Sequence, residues 1–545
     1  MRYLIAIVLS IFIMTSADNP NLGNLGTWLV YSADADVKSE RAENECTIMV
    51  INGRATADGR PILWKNRDVT NADQKFRYVP AREFPDGITY AFNGNFYANN
   101  SYRCYMGVNE VGFGIINANL YNFEDILEDG FDDGDLMRVA LERCRTVADW
   151  ERLLDISDHL GRMDPWIFGA FDAEGTTRLY ECGNNFHIVY DTDNPADAPG
   201  GMIVRTVFAL AGGPTDEGKV RFDRAMRLAY ERPTMEPIDI RYIMQTMARD
   251  FCSPDCDPYP LPFYGRVGAL PGGILCTAET INRFKTRSCS VIRGVLPDED
   301  PRLATTFAIL GQPVLSAAVP LWVAAGSAPE CLYNGSHAPW YNLIAERLDQ
   351  LYPLKDPDRY IHMYAPYLLD SLGNGVFSYS LNLENWGLAQ AEQYLSQWRE
   401  HGFDAAEVEV AQETICGAIW EGMLAESDDP VTPYDDEDGE ILSINRTASL
   451  PDGLTISNYP NPFNSSTTIN FSIPANVDLH QVKIRIYDVL GHLIISPGFA
   501  VPEGGRGSAT WNGLDDRGDE VAAGVYLYSL EIGPYRTTGK MLFLK

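Results

Sequence analysis

A short acidic segment divides this chain into two regions with different sequence patterns. Residues 427–440 read SDDPVTPYDDEDGE, and this proline-containing acidic composition is typical of a linker. Before the segment, apolar runs that predict buried strands, such as CTIMVI, alternate with stretches of helical spacing at 134–154 and 388–426. After it, period-two strands such as VKIRIYDV alternate with turns such as LDDRGDE. We therefore predict a layered α/β or α+β domain at 46–426, a linker at 427–455 and a small all-β sandwich at 456–545.

The first residues predict that the protein is exported. Arg2 precedes an apolar run, and small residues at 15–17 offer a cleavage site, so residues 1–17 have the pattern of a secretory signal peptide. This run is too short to span a membrane. Residues 18–45 have little hydrophobic periodicity and end in the polar run SERAENE, which we interpret as a propeptide. The mature protein is expected to be secreted or to lie at the cell surface, without a transmembrane segment.

Charge and residue spacing argue against several kinds of partner. The net charge of −32 predicts a surface that repels phosphate backbones, so nucleic acid is not an expected partner. Cys252 and Cys256 lie in the short loop CSPDC, where we predict a local disulfide because export permits one. The sequence has no second cysteine pair at zinc-binding spacing, no HExxH motif and no glycine-rich phosphate loop. Neither a metal nor a cofactor is therefore predicted.

The stretch from Cys46 to Asp68 predicts a β-hairpin that carries a thiol. It reads CTIMVINGRATADGRPILWKNRD, with an apolar strand at each end and turn chemistry at Asp58 and Gly59. The register of such a hairpin returns Asn66 and Asp68 to the neighbourhood of Cys46, so that the thiol meets a carboxylate. Spacing alone is weak support for catalysis, because a buried cysteine that opens a strand is usually inert packing.

Two further blocks accompany this hairpin. They are GVNEVGFG at 107–114, followed by Asn119, and GMIVRTVFALAGG at 201–213, followed by Arg221 in the run RFDRA. Together with the opening Cys46-Thr47 and the later run Lys65-Asn66-Arg67-Asp68, they resemble the N-terminal-nucleophile cysteine amidohydrolases. That group includes choloylglycine hydrolases and acyl-coenzyme A:6-aminopenicillanic acid acyltransferase. The resemblance spans about residues 46–330 and implies a four-layer αββα domain.

The resemblance implies a role for each matched residue. Cys46 would be the nucleophile, with its own α-amine as the base, since such an amine has a pKa near 8. Asp68 would orient that amine, and Asn119 would help to bind the oxyanion. Arg221 stands where choloylglycine hydrolases place a catalytic-site arginine, although RFDRAMR is also consistent with a helix-surface arginine. The matched positions implied in substrate binding are Lys65 and Asn66.

The implied reaction is cleavage of a linear amide bond, or acyl transfer to another amine, through a thioester on Cys46. The α-amine exists only after the Glu45–Cys46 bond breaks, which in the family occurs by self-cleavage. Two alternatives stay open. One is a dipeptidase of a related cysteine family, whose opening residues are similar. The other is a non-catalytic surface or adhesion protein that keeps the fold, because Val207 stands where related sequences tend to carry Asn. Val207 and Lys65, which stands where choloylglycine hydrolases carry Arg, are both departures from the bile-salt-hydrolysing relatives.

The last ninety residues carry the most specific pattern in the chain. The segments are NYPNPFNSSTTINFSIP at 458–474, VKIRIYDVLGHLI at 482–494, WNGLDDRGDEVAAGVYLYSLEIG at 511–533 and KMLFLK at 540–545. They resemble the type A sorting domains of the type IX secretion system and the immunoglobulin-like fold of flagellar hook-capping proteins. The resemblance implies that the secretion machinery is a partner of this chain. The alternative is a plain carbohydrate-binding or adhesive sandwich.

Overall fold

The structure is a computed structural model that describes two groups of residues. The first group is 45–70, 73–84, 87–100, 102–123, 130–231, 237–254, 258–259, 274–352, 362–369 and 375–427. The second group is 455–461, 463–472, 482–487, 493–500, 506–518, 520–522, 524–532 and 535–543. The chain divides between them into two compact units, Met1–Pro430 and Val431–Lys545. The predicted signal peptide, residues 18–44 of the predicted propeptide and residues 428–454 of the predicted linker lie outside the described residues.

Helices and sheets are mixed in the first unit, which confirms the predicted α+β class. Its strands are β1 Glu45–Ile51, β2 Ile62–Asp68, β3 Gln74–Val79, β4 Glu83–Phe84, β5 Gly87–Ile88, β6 Phe92–Tyr97, β7 Met106–Asn109, β8 Gly114–Asn119, β9 Trp166–Phe171, β10 Thr177–Cys182, β11 His187–Asp191, β12 Met202–Arg205, β13 Ile274–Cys276, β14 Thr286–Arg293, β15 Thr305–Leu310, β16 Val319–Trp322 and β17 His362–Tyr364. Its helices are α1 Asp133–Arg143, α2 Val147–Leu160, α3 Lys219–Tyr230, α4 Ile240–Tyr242, α5 Pro339–Leu351, α6 Val376–His401 and α7 Ala405–Ser427.

Two antiparallel sheets form the centre of this unit. Among the described residues, one sheet has the strand order β12-β1-β2-β14-β15-β16 and the other β11-β10-β9-β8-β7-β6-β3. Strands β1 and β2 pack face to face against β8 and β9. Gly169 in β9 permits this approach, because a Cβ atom there would lie only 2.5 Å from Val50 Cγ2 in β1. The first residues of β1, including Cys46, belong to the core that the two sheets share.

The predicted hairpin is confirmed. Strands β1 and β2 pair from Glu45 opposite Asp68 to Ile51 opposite Ile62. The chain turns back through Gly59, whose φ of 78° is the left-handed conformation that an Asp-Gly turn favours. Strand β2 continues beyond the predicted run PILWK and is buried along its whole length. The hairpin therefore carries the second half of the motif, including its carboxylate, into the interior.

Helices cover the outer faces of the two sheets. Helices α1 and α2 pack on the seven-stranded sheet through a core that includes Leu136, Trp150 and Phe168. Helices α5, α6 and α7 contact β15 and β16 of the other sheet. There the rings of Trp322 and Trp398 meet edge to face, with centroids 5.0 Å apart. None of the described helices combines the length and the hydropathy needed to cross a bilayer.

Each predicted helical stretch is interrupted once. In 134–154, helix α1 ends at Arg143 with Cys144 as its C-cap, and Thr146 is the N-cap of α2, where it forms a capping box with Asp149. In 388–426, helices α6 and α7 separate at Gly402, which has a φ of 79°. Apolar residues keep helical spacing on both sides of each break, so periodicity alone does not reveal the interruptions.

The described part of the second unit consists of strands and turns, as the all-β prediction requires. The strands are β18 Thr455–Tyr459, β19 Thr467–Ser472, β20 Val482–Tyr487, β21 Leu493–Ile495, β22 Phe499–Ala500, β23 Arg506–Trp511, β24 Gly524–Ile532 and β25 Tyr535–Phe543. They form two antiparallel sheets, with orders β18-β19-β23-β22 and β21-β20-β24-β25. The sheets share one apolar core, in which Phe463, Trp511 and Phe543 contact one another. The immunoglobulin-like assignment of this unit stays a prediction.

Two cysteines of the first unit are placed for oxidation. The Sγ atoms of Cys331, before α5, and Cys416, in α7, lie 3.6 Å apart, so a bond requires them to approach by about 1.5 Å. Because the chain is predicted to be exported, we expect a Cys331–Cys416 disulfide, with a disulfide-bearing oxidant accepting two electrons and two protons. Peptide mapping without reductant should recover the two peptides joined. Separately alkylated peptides from unreduced secreted protein would contradict this. Cys256 lies outside the described residues, so the Cys252–Cys256 disulfide stays a prediction.

Candidate active site

The site is built at the first residues of β1. Cys46 lies opposite Arg67 in the ladder, and Glu45 lies opposite Asp68. Side chains alternate along a strand, and the partners in an antiparallel pair share a face. Val50, on the same face as Cys46, contacts the second sheet, so the thiol and Arg67 also face that sheet. The carboxylates of Glu45 and Asp68 lie on the opposite face, and the backbone of β1 separates them from the thiol.

Two buried cations accompany the thiol. The Lys65 Nζ atom donates to Tyr105 O at 3.1 Å and to Asn117 Oδ1. Burial lowers the pKa of Lys65 to about 8. Burial raises the pKa of the Cys46 thiol, and the charges of Lys65 and Arg67 offset that rise only in part. Cys46 is 3% exposed, so its thiol is a neutral, largely enclosed group in the intact chain.

The Arg67 guanidinium is held in place by aromatic rings. It lies 4.4 Å from the ring centroid of Tyr97 and 3.9 Å from that of Tyr105. It also donates to Gln74 Oε1 at 3.1 Å. Cation–π contacts of this kind restrict a buried charge without neutralising it. The position across the ladder from Cys46 therefore carries a fixed positive charge.

Asp68 is a buried carboxylate with one oxygen in use. Thr286 Oγ1 donates to Asp68 Oδ1 at 2.7 Å, and Thr286 lies opposite Asp68 in the β2–β14 ladder. Asp68 Oδ2 is buried and has no hydrogen-bond partner among the described residues. Burial raises the pKa of Asp68 to about 6, although Arg283 and Arg221 act in the opposite direction. The unpartnered Asp68 Oδ2 atom can accept a hydrogen bond from any donor group that forms next to it.

Asn119 and Tyr121 lie near the thiol at the end of β8. The side chain of Asn119 hydrogen-bonds with the Tyr121 hydroxyl. Burial raises the pKa of that hydroxyl, and the neighbouring Glu45 and Cys46 add to the rise. Strand β8 packs against β1 and β2, which brings this end of the strand to the start of β1. An amide and a phenol, both able to donate hydrogen bonds, therefore lie in the neighbourhood of Cys46.

Glu45 is anchored by two arginines. Its Oε2 atom accepts from Arg221 at 2.5 Å and from Arg283. The Arg221 side chain on α3 is fully buried, and Arg283, before β14, is 5% exposed. Burial alone would raise the pKa of Glu45, but the two guanidinium charges outweigh it and leave that pKa below its ordinary value. The residue before Cys46 is thus held by its carboxylate, and Arg221 is a buried arginine rather than a helix-surface one.

The structure does not bring the Asn66 side chain to the thiol. Its Nδ2 donates to Ala248 O at 2.8 Å and to Ile281 O at 3.3 Å, and its Oδ1 accepts from Trp64 at 3.1 Å. Every hydrogen-bonding position of this amide group except one lone pair is occupied. These contacts fix the hairpin to the neighbouring segments, and they give no support to the predicted substrate-binding role of Asn66.

Several residues near Cys46 were not predicted from the sequence. Arg67 lies in the matched run 65–68, but the resemblance implies no role for it, and Glu45 belongs to the predicted propeptide. The sequence position of Tyr121, two residues after Asn119, was the one feature that could have indicated it. No such feature points to Arg283 or Thr286. Thr286 lies 218 residues from Asp68 and contacts it only through sheet pairing.

A group of donor atoms suited to a metal ion lies elsewhere. Within the described residues, atoms of Asp155, Asp158 and His187 lie within 4.8 Å of one another. His187 Nδ1 contacts Asp158 Oδ2 at 2.7 Å, and Arg162 pairs with the same carboxylate. These hydrogen bonds already account for the cluster, and it takes no part in the arrangement around Cys46.

The raised pKa of Asp68 predicts a pH-dependent stability of the uncleaved chain. The folded protein holds this proton up to pH 6, whereas the unfolded chain releases it near pH 4, so stability falls as pH rises through that interval. In a Cys46→Ala background, we expect Asp68→Asn to raise the free energy of unfolding by about 2 kcal/mol more at pH 7.5 than at pH 4. Urea unfolding followed by tryptophan fluorescence measures this, and an effect equal at both pH values would contradict it.

The second unit matches a known family. Residues 457–543 match the model described as the secretion system C-terminal sorting domain. The second unit is a secretion sorting domain. This match confirms the predicted sorting domain of the type IX system and the predicted export to the cell surface or beyond. The sorting domain also makes the secretion machinery a partner of this chain.

Solved structures similar to the chain share little sequence with it. Penicillin V acylase from Agrobacterium tumefaciens is 15% identical, with 51% of this chain and 86% of that chain covered and a TM-score of 0.33. A mutant conjugated bile acid hydrolase from Clostridium perfringens is 15% identical, with 51% and 92% covered and a TM-score of 0.30. CopC from Methylosinus trichosporium is 17% identical, with 16% and 90% covered and a TM-score of 0.13. No curated protein matches the sequence.

Proposed function

We propose that the first unit is an exported cysteine amidohydrolase or acyltransferase of the N-terminal-nucleophile type, with αββα layers. One observation carries the proposal. Asp68 is a buried carboxylate with an unpartnered oxygen, and it pairs across the ladder with Glu45, the residue that supplies the carbonyl side of the Glu45–Cys46 bond. A carboxylate in that position is unfavourable in the uncleaved chain and becomes favourable once the nitrogen is a free amine.

Maturation is the first step of this mechanism. The Cys46 thiol attacks the carbonyl carbon of Glu45, the peptide C–N bond breaks, and the nitrogen of Cys46 takes up the thiol proton. Glu45 is then joined to Cys46 as a thioester. Water attacks that thioester, which releases a carboxyl group on Glu45 and restores the thiol. The ion pairs of Glu45 with Arg221 and Arg283 support this step, because they hold the scissile bond in place.

Catalysis repeats the same acyl transfer on an external amide. The α-amine of Cys46, oriented by Asp68, accepts the thiol proton as sulfur attacks and returns it to the leaving amine. Asn119 and a backbone N–H group stabilise the negative oxygen of the tetrahedral intermediate. The cations Lys65 and Arg67 favour the thiolate over the buried thiol. Attack by water completes hydrolysis, and attack by another amine completes acyl transfer.

Val207 contacts the segment that follows β8. Its backbone oxygen accepts from the Tyr121 N–H group at 2.9 Å. Its side chain packs beside Gly218, where a Cβ atom would lie 2.7 Å from Val207 Cγ2. The main chain of Val207 holds the segment that contains Tyr121, so this contact does not require an asparagine side chain at position 207. Labelling of Cys46 by an acyl probe, lost in Cys46→Ala, is what distinguishes this proposal from the non-catalytic alternative.

The start of the mature chain tests the proposal. We expect N-terminal sequencing and intact-mass analysis of secreted protein to give Cys46 as the first residue, because only then does the thiol have an α-amine. A thiol-reactive acyl probe should label that same residue. Active protein that begins only at Asp18, or that keeps the Glu45–Cys46 bond, would refute the mechanism.

A further inference from the structure

The two arginines that hold Glu45 form a site for a carboxylate. Both guanidinium groups are buried, and both end on the same carboxylate oxygen. Glu279 also approaches Arg221, at 3.7 Å, but its side chain is 49% exposed and makes no hydrogen bond at that distance. Two buried guanidinium groups directed at one carboxylate form a specific and strong anion site.

Cleavage empties this site without removing the arginines. When Glu45 departs with the propeptide, Arg221 and Arg283 lose the carboxylate that they share. Several of their nitrogens have no hydrogen-bond partner among the described residues even while Glu45 is present, namely Arg221 Nε and Nη1 and Arg283 Nε. Of the other carboxylates in this neighbourhood, Glu279 has a half-exposed side chain, and Asp68 then faces the new ammonium group of Cys46. The vacated pocket therefore keeps an excess of positive charge and of buried donors, which a second carboxylate would satisfy.

The chemistry of maturation indicates which part of a substrate would occupy this pocket. In the first step Glu45 is the acyl group on Cys46, and in each later turnover the substrate supplies the acyl group on the same sulfur atom. In Glu45, three carbons separate the carbonyl carbon from the side-chain carboxyl carbon. An acyl group of the same length reaches the pocket from the same thioester.

We propose that the mature enzyme prefers acyl groups with a carboxylate three carbons from the scissile carbonyl, as in an α-glutamyl amide. This inference rests on the proposed function. The reaction is balanced as amide plus Cys46 thiol giving acyl thioester plus free amine, followed by thioester plus water giving a dicarboxylic product and the thiol. Arg221 and Arg283 bind the second carboxylate and take no part in the bond changes described here.

A pair of isosteric substrates tests the preference. The probes are N-acetyl-L-glutamyl p-nitroanilide and N-acetyl-L-glutaminyl p-nitroanilide, which differ in the side-chain charge, with release of p-nitroaniline as the readout. For secreted protein that begins at Cys46, we expect kcat/KM to favour the glutamyl substrate by on the order of tenfold to a hundredfold. Arg283→Gln should reduce that ratio towards one, Arg283→Lys should keep part of it, and Arg302→Gln, at an exposed arginine, should leave it unchanged.

The same preference can be read from maturation, which needs no added substrate. Glu45→Gln should slow cleavage of the Glu45–Cys46 bond by a similar factor, as should Arg283→Gln. In protein that begins at Cys46, and of which a separate sample reacts with the acyl probe at that residue, equal kcat/KM for the two anilides, or no cleavage of the glutamyl one, overturns this inference alone. Protein that never exposes Cys46 as its first residue overturns the proposed function and this inference with it.

Discussion

Cys46→Ala should leave a secreted, folded chain that keeps the Glu45–Cys46 bond and has no amidase activity. Without the sulfur there is neither a nucleophile for self-cleavage nor a carrier for the acyl group. We expect turnover to fall by on the order of 10⁴-fold or more, as when other enzymes lose a covalent nucleophile. Intact mass reports the uncleaved bond, and amide hydrolysis reports the loss of turnover.

A second buried cysteine supplies the control for this experiment. Cys182 in β10 is fully buried, and burial raises the pKa of its thiol to about 12. Its removal costs packing but no chemistry, so Cys182→Ala should mature and turn over substrate normally. A Cys46→Ala protein that still matured, or that kept measurable turnover, would show that another residue is the nucleophile. Loss of activity in both variants would instead point to a defect of folding.

Asn119→Ala should reduce kcat/KM by about 10²–10³-fold, which corresponds to roughly 2.7–4 kcal/mol of lost transition-state stabilisation. The Asn119 side chain is the proposed donor to the oxyanion, and that charge appears only as the tetrahedral intermediate forms. The loss should therefore fall on kcat, with KM changed little. Steady-state kinetics with any accepted amide separates the two constants.

An exposed asparagine gives the matched control for this substitution. Asn185 donates only to the main chain, at Asp158 O, 2.9 Å away, among its described contacts. Asn185→Ala should leave kcat and KM unaltered. If Asn119→Ala raised KM while kcat stayed at its original value, Asn119 would bind substrate in the ground state, and the oxyanion role would have to pass to another donor. The Tyr121 hydroxyl, which hydrogen-bonds with Asn119, would be the next residue to test.

The local part of this site could be predicted from sequence and the long-range part could not. The Cys46–Asp68 hairpin follows from two apolar strands and an Asp-Gly turn, all within one short stretch. Arg283 reaches the site only because β14 pairs with β2, and no spacing in the sequence records that pairing. Asn66 shows that a residue can match the motif and still point away from the site. It sits in the right motif, yet strand alternation turns its amide towards Ala248 and away from the thiol.

The glycine at position 169 limits how far apart the two sheets of the candidate site can lie. In the proposed mechanism, residues from both sheets act on one bond, with sulfur supplied by β1 and an amide by β8. Gly169 sets the distance between those two sheets, because it leaves room for the Val50 side chain. Any larger residue at position 169 would push the sheets apart. A single hydrogen atom in place of a methyl group, well away from the reacting atoms, thus determines whether the two halves of the machinery stay within reach of each other.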